Sequence, residues 1–486
     1  MNIIGRVEEI EILKDLLRSN KAEFLALYGR RRVGKTFLVR EFFQNKKGLI
    51  FFNVTGLKDG SLSEQIDNVM DRIGEVFYDG IPLEQQTSWR GVFKVLTRAI
   101  EKTATDKKVV IFMDEIPWMA TPKSKLLQNL DYYWNQYWSN NAKVKLIICG
   151  SSASWMINKI IKNKGGLHNR ITEKILLEPF KLPDTKEFLK AQGIVLSHQQ
   201  ILFIYMVTGG VPYYLSKIKW KQSAAQIIEK LAFSKKAFLM EEFDSLFASL
   251  FKDYETHIKI VRALANNRYG IGKTKLLEMT GSTAGHSANR LSELEDAGFI
   301  MSFKPLFHQR KGTYYRLIDE YTGFYLKWIE PIKNLLQEQA LDKGNWQAMQ
   351  STPEWHSWIG YAFESVCYKH LLQIRRFLEL SPADLASTWR YVPRASAEQR
   401  GAQIDLLFDR KDGMVSICEI KYTEDSFLIT KEYYEALKRK LKVFAEQTRT
   451  RKQLLLHFIS ANGLKKNDYS NQLVSSVMTL DDLFKK

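Results

Sequence analysis

Short apolar runs alternate with helical patterns along the first third of the chain. The apolar runs, which predict buried strands, cover residues 23–28, 48–54, 108–113 and 144–149. The segments between them that carry helical spacing cover residues 35–43, 61–77 and 88–103. Strands and helices that alternate in this way predict an α/β fold, in which helices cover both faces of a parallel sheet.

The middle of the chain carries two different patterns. From residue 178 the strands stop, and three helical patterns predict a small helical lid; they cover residues 183–191, 197–207 and 224–239. Residues 255–317 then predict a winged helix-turn-helix of three helices and two short strands. Residues 283–297 would be its recognition helix, and its wing would carry His308, Arg310 and Lys311. DNA contact and a packing or partner role are both open for this module.

The last part of the chain returns to strands. The strand patterns cover residues 404–408, 415–421 and 454–459. An amphipathic helix precedes them, and a charged helix at 431–446 separates the last two. This order predicts a second, smaller α/β domain. The expected domains are residues 1–177 for the sheet, 178–240 for the lid, 241–335 for the winged helix, and 336–486 for a linker and the second α/β domain.

A glycine-rich motif lies between the first predicted strand and helix. Residues 29–36 read GRRRVGKT, which matches G-x-x-x-x-G-K-[ST]. In this context such a loop wraps a phosphate with backbone N–H groups, its lysine reaches the β and γ phosphates, and its hydroxyl contacts Mg²⁺. The sequence therefore predicts binding of ATP, or a close nucleoside triphosphate, with Mg²⁺. The residues expected to contact this cofactor are Gly29, Arg30, Arg31, Arg32, Val33, Gly34, Lys35, Thr36 and Phe37.

Further polar residues follow the later strands of this sheet. Asp114 and Glu115 end the strand VVIFM, so Asp114 is expected in the Mg²⁺ shell beside Thr36, and Glu115 is expected to orient the attacking water. A solvated acidic turn is the alternative. Ser151, at the tip of the next strand, is either a γ-phosphate sensor or a helix cap. Arg170 is either an arginine finger, in cis or across an oligomer, or a surface arginine.

Four segments together resemble the archaeal-type ATPase family, in the STAND branch of AAA+-like ATPases. They are IIGRVEE at 3–9, GRRRVGKT at 29–36, FMDE at 112–115 and TGGVPYYL at 208–215. The resemblance, which covers residues 1 to about 239, implies that Gly5 and Arg6 lie beside the adenine and ribose, and that Pro212 helps the lid to sense the nucleotide. It also implies a nucleotide-driven switch that is often oligomeric, with a winged helix after the ATPase.

The C-terminal strands carry an acid–lysine pattern. Asp405 lies in QIDLLF, and Glu419 and Lys421 lie in ICEIK. Alternate strand residues share a face, so Glu419 and Lys421 point the same way, and Asp405 on a neighbouring strand can converge with them, with Ile404 and Leu406 both on its opposite face. The acids would bind Mg²⁺, and Lys421 would stabilise developing phosphate charge or position water.

This pattern resembles the PD-(D/E)xK nuclease core, and Glu364 in GYAFESVCYKH resembles the acid that such nucleases often carry on the first core helix. The resemblance makes Glu364 a third expected metal ligand beside Asp405 and Glu419. Members of the archaeal-type ATPase family commonly end in such a domain, some with the acids lost. Retained cleavage and a degenerate binding domain are therefore both open.

Charge and composition narrow the choice of partners and compartment. The chain has 72 Lys and Arg against 54 Asp and Glu, a net charge of +18, which favours nucleic acid as a partner, although charge for solubility is the alternative. The basic run Lys438, Arg439, Lys440 and Lys442 is either a phosphate contact or a solvated face. The three cysteines form no CxxC pair, which fits a reducing compartment. No signal pattern and no apolar run of roughly 20 residues is present, so we expect a cytoplasmic protein that does not span a membrane.

Two hypotheses follow from the sequence. The leading one is a Mg²⁺-dependent, ATP-hydrolysing switch that acts on DNA and carries a metal-dependent nuclease-like domain. The alternative is a nucleotide-dependent regulatory or binding protein whose nuclease-like domain is inactive. A homo-oligomer and a protein partner are compatible with both hypotheses.

Overall fold

The computed structural model describes residues 3–104, 106–162, 166–267, 269–281, 284–306, 312–338, 344–393 and 401–486. The chain divides into two compact units, Met1–Pro179 and Phe180–Lys486. The predicted wing residues His308, Arg310 and Lys311 lie outside the described residues. No helix within the described ranges combines the length and the apolar character that crossing a bilayer requires.

A five-stranded parallel sheet forms the centre of the first unit. Its strands are β1 (Glu23–Tyr28), β2 (Leu49–Thr55), β3 (Lys108–Asp114), β4 (Val144–Gly150) and β5 (Glu173–Leu176). The strand order is β2-β3-β4-β1-β5, and all neighbouring strands are parallel. The predicted parallel sheet is confirmed, and the four strands given by apolar runs end within one residue of their predicted bounds.

Helices pack on both faces of this sheet. They are α1 (Val7–Arg18), α2 (Lys35–Phe43), α3 (Leu62–Phe77), α4 (Trp89–Glu101), α5 (Ile116–Met119), α6 (Leu126–Tyr133) and α7 (Ala153–Met156). Phe24 and Ala26 of β1 pack into a core with α3, α4 and α6, whereas Leu25 and Leu27 pack into a separate core with α1 and α2. Successive strand residues point to opposite faces, so each face has its own apolar core. Helix α1 has no counterpart among the predicted helices.

The second unit begins with five helices. They are α8 (Leu182–Ala191), α9 (His198–Thr208), α10 (Pro212–Leu215), α11 (Ala224–Ile228) and α12 (Phe238–Leu250). The prediction of a single helix over residues 224–239 is wrong. A π-helical turn after α11 ends at Phe233, Ser234 is extended, and α12 then continues past the predicted domain boundary at residue 240. Apolar residues recur at helical spacing along Phe238–Leu250. Seven residues of this helix are buried, so packing favours the longer helix.

Three helices and a small sheet follow. They are α13 (Tyr254–Ala265), β6 (Ile271–Gly272), α14 (Lys273–Thr280), α15 (Ala284–Asp296), β7 (Ile300–Phe303) and β8 (Tyr314–Leu317). The three strands pair antiparallel in the order β6-β8-β7. Strand β6 spans only two residues, which is too short to leave a periodic signal in the sequence. Three short helices then lead to the C-terminal part: α16 (Glu320–Phe324), α17 (Lys333–Gln337) and α18 (Asn345–Met349).

A second five-stranded sheet closes the chain. Its elements are α19 (Pro353–Lys369), α20 (Leu371–Phe377), β9 (Leu385–Tyr391), β10 (Ala402–Asp409), β11 (Met414–Lys421), α21 (Lys431–Thr448), β12 (Gln453–Ser460), α22 (Asp468–Leu473), β13 (Val474–Met478) and α23 (Leu480–Leu483). The order is β13-β12-β11-β10-β9. Strands β9, β10 and β11 pair antiparallel, whereas β11, β12 and β13 are parallel.

One apolar core runs through the whole second unit. It includes Leu202 of α9, Val261 of α13, Phe363 of α19 and Ile420 of β11. The expected lid, winged-helix and C-terminal segments therefore share buried side chains. A smaller core on the other face of the C-terminal sheet packs β10, β11 and β12 against α21, and it includes the fully buried Phe444.

Turns of π-helix directly follow four of these helices, and short 3₁₀ turns occur at two further places in the described residues. The π-helical turns cover Trp134–Trp138, Ile157–Ile161, Glu229–Phe233 and Tyr325–Ile329, and the 3₁₀ turns cover Leu167–Asn169 and Glu330–Ile332.

Candidate functional site

The glycine-rich loop joins the carboxyl end of β1 to α2 at the edge of the first sheet. Gly29 has φ +146°, and a Cβ atom there would collide with the backbone carbonyl of Leu177, so only glycine fits. Gly34 has φ +95° and directly precedes α2, so the left-handed turn that starts this helix also favours glycine. The two glycines thus shape a tight loop at a helix N-terminus, where anions bind well.

The Lys35 side chain folds back into this loop. It is buried, and its Nζ donates to the backbone carbonyls of Gly29 and Arg30, both at 2.9 Å. Arg6 holds the loop from outside, because its guanidinium donates to the carbonyl of Val33 at 3.2 Å and to that of Glu178 at 2.7 Å. The Lys35 ammonium group is therefore positioned by the same loop backbone that would surround a phosphate.

The hydroxyl and carboxylate predicted for Mg²⁺ lie together. Thr36 Oγ1 donates to Asp114 Oδ2 at 2.6 Å, and Asp114 Oδ1 accepts from the backbone N–H of Glu115 at 3.0 Å. Both groups are hard oxygen donors, the ligand type that Mg²⁺ prefers. The residues present therefore fit Mg²⁺ at the end of the loop. Cys149 lies beside Asp114, and burial followed by Asp114 raises the pKa of its thiol well above the usual value, so this thiol is inert.

Glu115 and Ser151 also meet at this edge. Glu115 Oε2 accepts from the backbone N–H of Ser151 at 3.0 Å and from its hydroxyl at 2.9 Å. Glu115 has φ 49°, which is uncommon for a residue with a long side chain. The contact therefore fixes both the position and the rotamer of the predicted water-orienting acid.

The structure does not bring every predicted residue of this site together. Arg170 precedes the amino end of β5, whereas the glycine-rich loop follows the carboxyl end of the parallel strand β1. Its side chain is 45% exposed, with Nε 4.0 Å from Asp131 Oδ1. In the same chain Arg170 is therefore at the opposite edge of the sheet from the loop. Pro212 belongs to the second unit, where it begins α10.

The remaining predicted contacts lie on or next to the loop. Gly5 and Arg6 both have left-handed φ angles, of 63° and 59°, directly before α1. Arg32 is left-handed at φ 72°, Arg31 is half-buried, and Phe37 projects from the first turn of α2 with an exposed ring.

Four acid and lysine residues of the C-terminal part line one pocket of about 380 Å³: Glu364 of α19, Asp405 of β10, and Glu419 and Lys421 of β11. The pairing of β10 with β9 shifts register between Ile404 and Leu407, so β10 carries one extra residue, a β-bulge, in the stretch that contains Asp405. Bulges re-aim side chains, often next to functional sites. The prediction that Ile404 and Leu406 share a face is wrong for this reason, since they pack into different cores.

Two residues of α21 that are not among the predicted site residues complete this cluster. The Tyr433 hydroxyl donates to Glu419 Oε1 at 2.6 Å, and Lys440 forms an ion pair with Glu419 Oε2. Lys421 Nζ lies 3.3 Å from Glu419 Oε1. A signal was present, because Tyr433, Leu437 and Lys440 recur at helical spacing on one face of α21.

The electrostatics of the pocket follow from three carboxylates in a buried space. Burial, and then Asp405, raises the pKa of Glu364 to about 8. Burial and then Glu419 raise the pKa of Asp405. Burial would also raise the pKa of Glu419, but Lys440 and Lys421 outweigh it and lower the pKa below its usual value. Glu419 is therefore the carboxyl group of the cluster whose ionised form is favoured, and Lys440 and Lys421 are its counter-ions.

The donor set suits a divalent cation in kind, because carboxylate oxygens are the ligands of Mg²⁺ and Mn²⁺. The positions of these carboxylates, however, do not form a metal site. Within the part of the chain that the structure describes, no group of three or more His, Cys, Asp and Glu side chains is arranged to hold a metal ion. Both oxygens of Glu419 are engaged, by Tyr433 and Lys421 on one side and Lys440 on the other. A cation would therefore require Lys440 to withdraw.

The parallel sheet, the glycine-rich loop and the Thr36–Asp114 pair define the first unit as a P-loop ATPase domain. Residues 3–218 match the model of an ATPase domain found predominantly in Archaea, and the chain carries an ATPase domain of this family.

Two archaeal relatives of known sequence are similar to the chain. An uncharacterised protein of Methanocaldococcus jannaschii is 26% identical over 447 residues, which cover 90% of this chain and 92% of the relative. An uncharacterised ATP-binding protein of the same organism is 52% identical over 44 residues, which cover 9% of this chain and 75% of the relative.

Two solved structures align with much of the chain. The Walker-type ATPase of Pyrococcus abyssi aligns over 67% of this chain and 96% of its own, with 19% identity and a TM-score of 0.48. The ORC2 protein of Aeropyrum pernix, in complexes with ADPNP and ADP, aligns over 70% of this chain and 96% of its own, with 16% identity and a TM-score of 0.43.

Proposed function

We propose that this protein is a Mg²⁺-dependent, ATP-hydrolysing switch that acts on DNA through its C-terminal part. The observation that carries the ATPase half is the run of contacts from Thr36 through Asp114 and Glu115 to Ser151 at the edge of the first sheet. Thr36, at the end of the glycine-rich loop, begins this series of contacts, and Ser151 ends it by holding Glu115, the acid expected to orient water.

In the proposed reaction each residue has one task. Lys35 donates to phosphate oxygens in place of the carbonyls of Gly29 and Arg30, and Thr36 and Asp114 hold Mg²⁺. Mg²⁺, when bound, would neutralise the negative charge that develops on the phosphates. Glu115 orients the attacking water, and Ser151 keeps its carboxylate in place. Arg170 fits only the arrangement in which it reaches the nucleotide of another copy of the chain.

The test of the ATPase half is Glu115→Gln. We expect ATP binding to be retained and ATP turnover to fall by at least about a hundredfold. The amide keeps the size of the side chain, but it cannot act as a base toward the attacking water. The exposed Glu84→Gln serves as the matched control and should turn over like the wild type. Unchanged turnover in Glu115→Gln would remove this residue from its role.

For the second unit we propose the order of domains expected from the sequence. A lid, in which Pro212 senses the nucleotide, is expected over 178–240 but ends with α12 at Leu250; a winged helix follows to residue 335, and a PD-(D/E)xK nuclease-like domain lies within 336–486. The helices α13 to α15 with the sheet β6-β8-β7 support the winged helix. The order α19, β9, β10, β11, α21, β12, with an acid on β10 and Glu-x-Lys on β11, supports the nuclease-like domain.

DNA is the proposed partner of this unit. The net charge of +18 favours a polyanion, and Arg439 and Lys440 line the same pocket as the three acids. In cleavage, Lys440 would first withdraw from Glu419; the carboxylates of Glu364, Asp405 and Glu419 would then hold a divalent cation, and Lys421 would stabilise charge on the phosphate. The three cysteines are free and buried, which supports action in the reducing cytoplasm.

One observation favours the alternative of a regulatory protein with an inactive nuclease-like domain. Tyr433, Lys421 and Lys440 already satisfy the Glu419 carboxylate, as expected if the cluster serves stability rather than catalysis. Plasmid and linear DNA should be incubated with Mg²⁺ or Mn²⁺, with and without ATP, beside a Glu419→Ala, Lys421→Ala double variant. Cutting that is lost in the double variant supports the nuclease, and intact ATP hydrolysis without cutting supports the alternative.

A further inference from the structure

A tyrosine from the 254–317 segment reaches the acid–lysine pocket of the C-terminal sheet. Tyr269 lies between α13 and β6, and its side chain lines the same pocket as Asp405 and Glu419. Its side chain is 45% exposed, although tyrosine in a loop gains stability from burying its ring. The part of this ring that the described residues leave exposed, at the mouth of a polar pocket, is available to stack on a ligand.

An arginine packs on the same ring. The guanidinium carbon of Arg390 lies 4.4 Å from the centroid of the Tyr269 ring. Arg390 is directly opposite Gln403 across the β9–β10 pair, and Gln403 Nε2 donates to Asp405 Oδ1 at 3.1 Å. Residues opposite each other in an antiparallel pair share a face, so Arg390 is on the pocket face of the sheet. Tyr269 and Arg390 together are called the stacking pair below.

Acidic residues lie inside the pocket, and basic residues lie at its mouth. Asp405 and Glu419 are buried and Glu364 is half-buried, whereas Arg390 is exposed and Arg439 lines the pocket from α21. Cations at the mouth attract the phosphates of a strand, and an aromatic face accepts any base, which is the combination that binds single-stranded nucleic acid. A volume of about 380 Å³ is near the lower end of the roughly 300–1,000 Å³ of small-ligand pockets, so it accommodates a nucleotide rather than a duplex.

We propose that the stacking pair admits an unpaired nucleotide of a single-stranded DNA end to the acid–lysine pocket. The inference rests on the proposed function, namely that the C-terminal part acts on DNA, and it adds the substrate class. The base stacks on the Tyr269 ring, Arg390 and Arg439 contact the flanking phosphates, and the phosphodiester reaches the acids.

The experiment measures binding by the full-length protein in EDTA, so that it is independent of cleavage. The probes are an oligonucleotide with a fluorescent adenine analogue at one end and a blunt duplex of the same length. We expect tighter binding of the single strand, with quenching of the terminal base. Tyr269→Ala should weaken that binding by roughly 5- to 150-fold and remove the quenching, since one stacked base contributes about 1–3 kcal/mol. Tyr269→Phe should behave like the wild type.

Trp220→Ala is the matched control, because Trp220 is 62% exposed and has Lys221 Nζ 4.4 Å from its ring, as Tyr269 has Arg390, but it does not line the pocket. Arg390→Gln provides a second variant that keeps the tyrosine. Equal binding by Tyr269→Ala and wild type, or preference for the duplex, would overturn the inference while leaving DNA as the partner. Absence of binding to both probes would overturn the proposed action on DNA as well.

Discussion

The Glu115 carboxylate is held by Ser151, whose backbone N–H and hydroxyl both donate to Oε2, at 3.0 and 2.9 Å. The two residues follow the neighbouring parallel strands β3 and β4, so the contact joins two strand tips at the carboxyl edge of the sheet. Ligands bind at this edge in open α/β sheets. The φ of 49° at Glu115 costs on the order of 1–2 kcal/mol, and such strain is typical of residues held for function.

Ser151→Ala should therefore slow ATP turnover by about tenfold while the KM for ATP changes little. The substitution removes one of the two hydrogen bonds to a charged group, each of which contributes about 1.5–3 kcal/mol, and leaves the backbone N–H in place. Steady-state ATP hydrolysis measures the effect. Ser152→Ala, on the adjacent residue, is the control and should retain wild-type turnover. Equal rates for both variants would show that Ser151 does not position Glu115.

The candidates at the strand tips could be predicted because buried strands leave apolar runs, and Asp114, Glu115 and Ser151 each follow such a run. The contact between Glu115 and Ser151 could not be predicted, because it depends on β3 and β4 being neighbours. Strand order is set by long-range packing that no local pattern records. Arg170 shows the same limit, since its place at the amino edge of the sheet follows from the parallel pairing of β5 with β1.

In the C-terminal part, the sequence indicated β10, β11 and β12, whose inward residues are mostly apolar. It did not indicate β9 or β13, because these edge strands contain serine and threonine and have only partly buried patterns. Lys440 appeared only as part of a basic run. Its ion pair with Glu419 depends on how α21 packs across β11, which the charge pattern alone does not reveal.

Gly29→Ala should abolish ATP binding and lower the thermal midpoint of the first unit by several degrees. A left-handed φ costs an alanine about 1–2 kcal/mol, and the added Cβ would in addition displace the backbone at Leu177. About 1 kcal/mol corresponds to a shift of about 2–4 °C in a domain of this size. Nucleotide binding and thermal unfolding measure the two effects.

Gly48→Ala is the control for Gly29→Ala. Gly48 also has a positive φ, of +72°, but nothing lies within 4 Å of the Cβ that alanine would add. It should lose only about 1 kcal/mol of stability and bind ATP normally. If both variants behave alike, the close approach of Leu177 does not determine the shape of the loop.

Lys440→Met should tighten Mn²⁺ binding to the C-terminal pocket by about tenfold or more. A cation that uses Glu419 must first break the ion pair with Lys440, and in a buried site that pair is not screened by water. The measurement is Mn²⁺ titration by electron paramagnetic resonance without nucleotide, in an Asp114→Asn background that silences the P-loop site.

Lys438→Met provides the comparison, because Lys438 lies on the same helix but is half exposed and pairs with Glu435 at 3.8 Å. It should leave Mn²⁺ affinity unchanged. Equal affinities of the two variants would mean that Lys440 does not compete with a cation. Mn²⁺ binding that persists in Asp405→Ala would assign the metal to a different place.

A buried histidine joins the first helix of the second unit to α19. His370 Nε2 accepts from the backbone N–H of Leu182 at 3.0 Å, and its Nδ1 donates to the carbonyl of Val366 at 2.7 Å. These roles require a neutral ring. Burial is the main reason that the pKa of His370 falls to about 3, well below the usual 6.5.

The second unit should therefore lose stability as the pH falls below 6.5. The unfolded chain binds a proton at this histidine and the folded chain does not until about pH 3, so the free energy of unfolding falls by about 2 kcal/mol between pH 7 and pH 5, with a slope that approaches about 1.36 kcal/mol per pH unit below pH 6.5. Urea unfolding at pH 7 and pH 5 measures the difference. His370→Gln should be less stable at pH 7 but show a smaller pH dependence, whereas exposed His356→Gln should keep the wild-type dependence. An unchanged dependence in His370→Gln would assign the acid sensitivity to other groups.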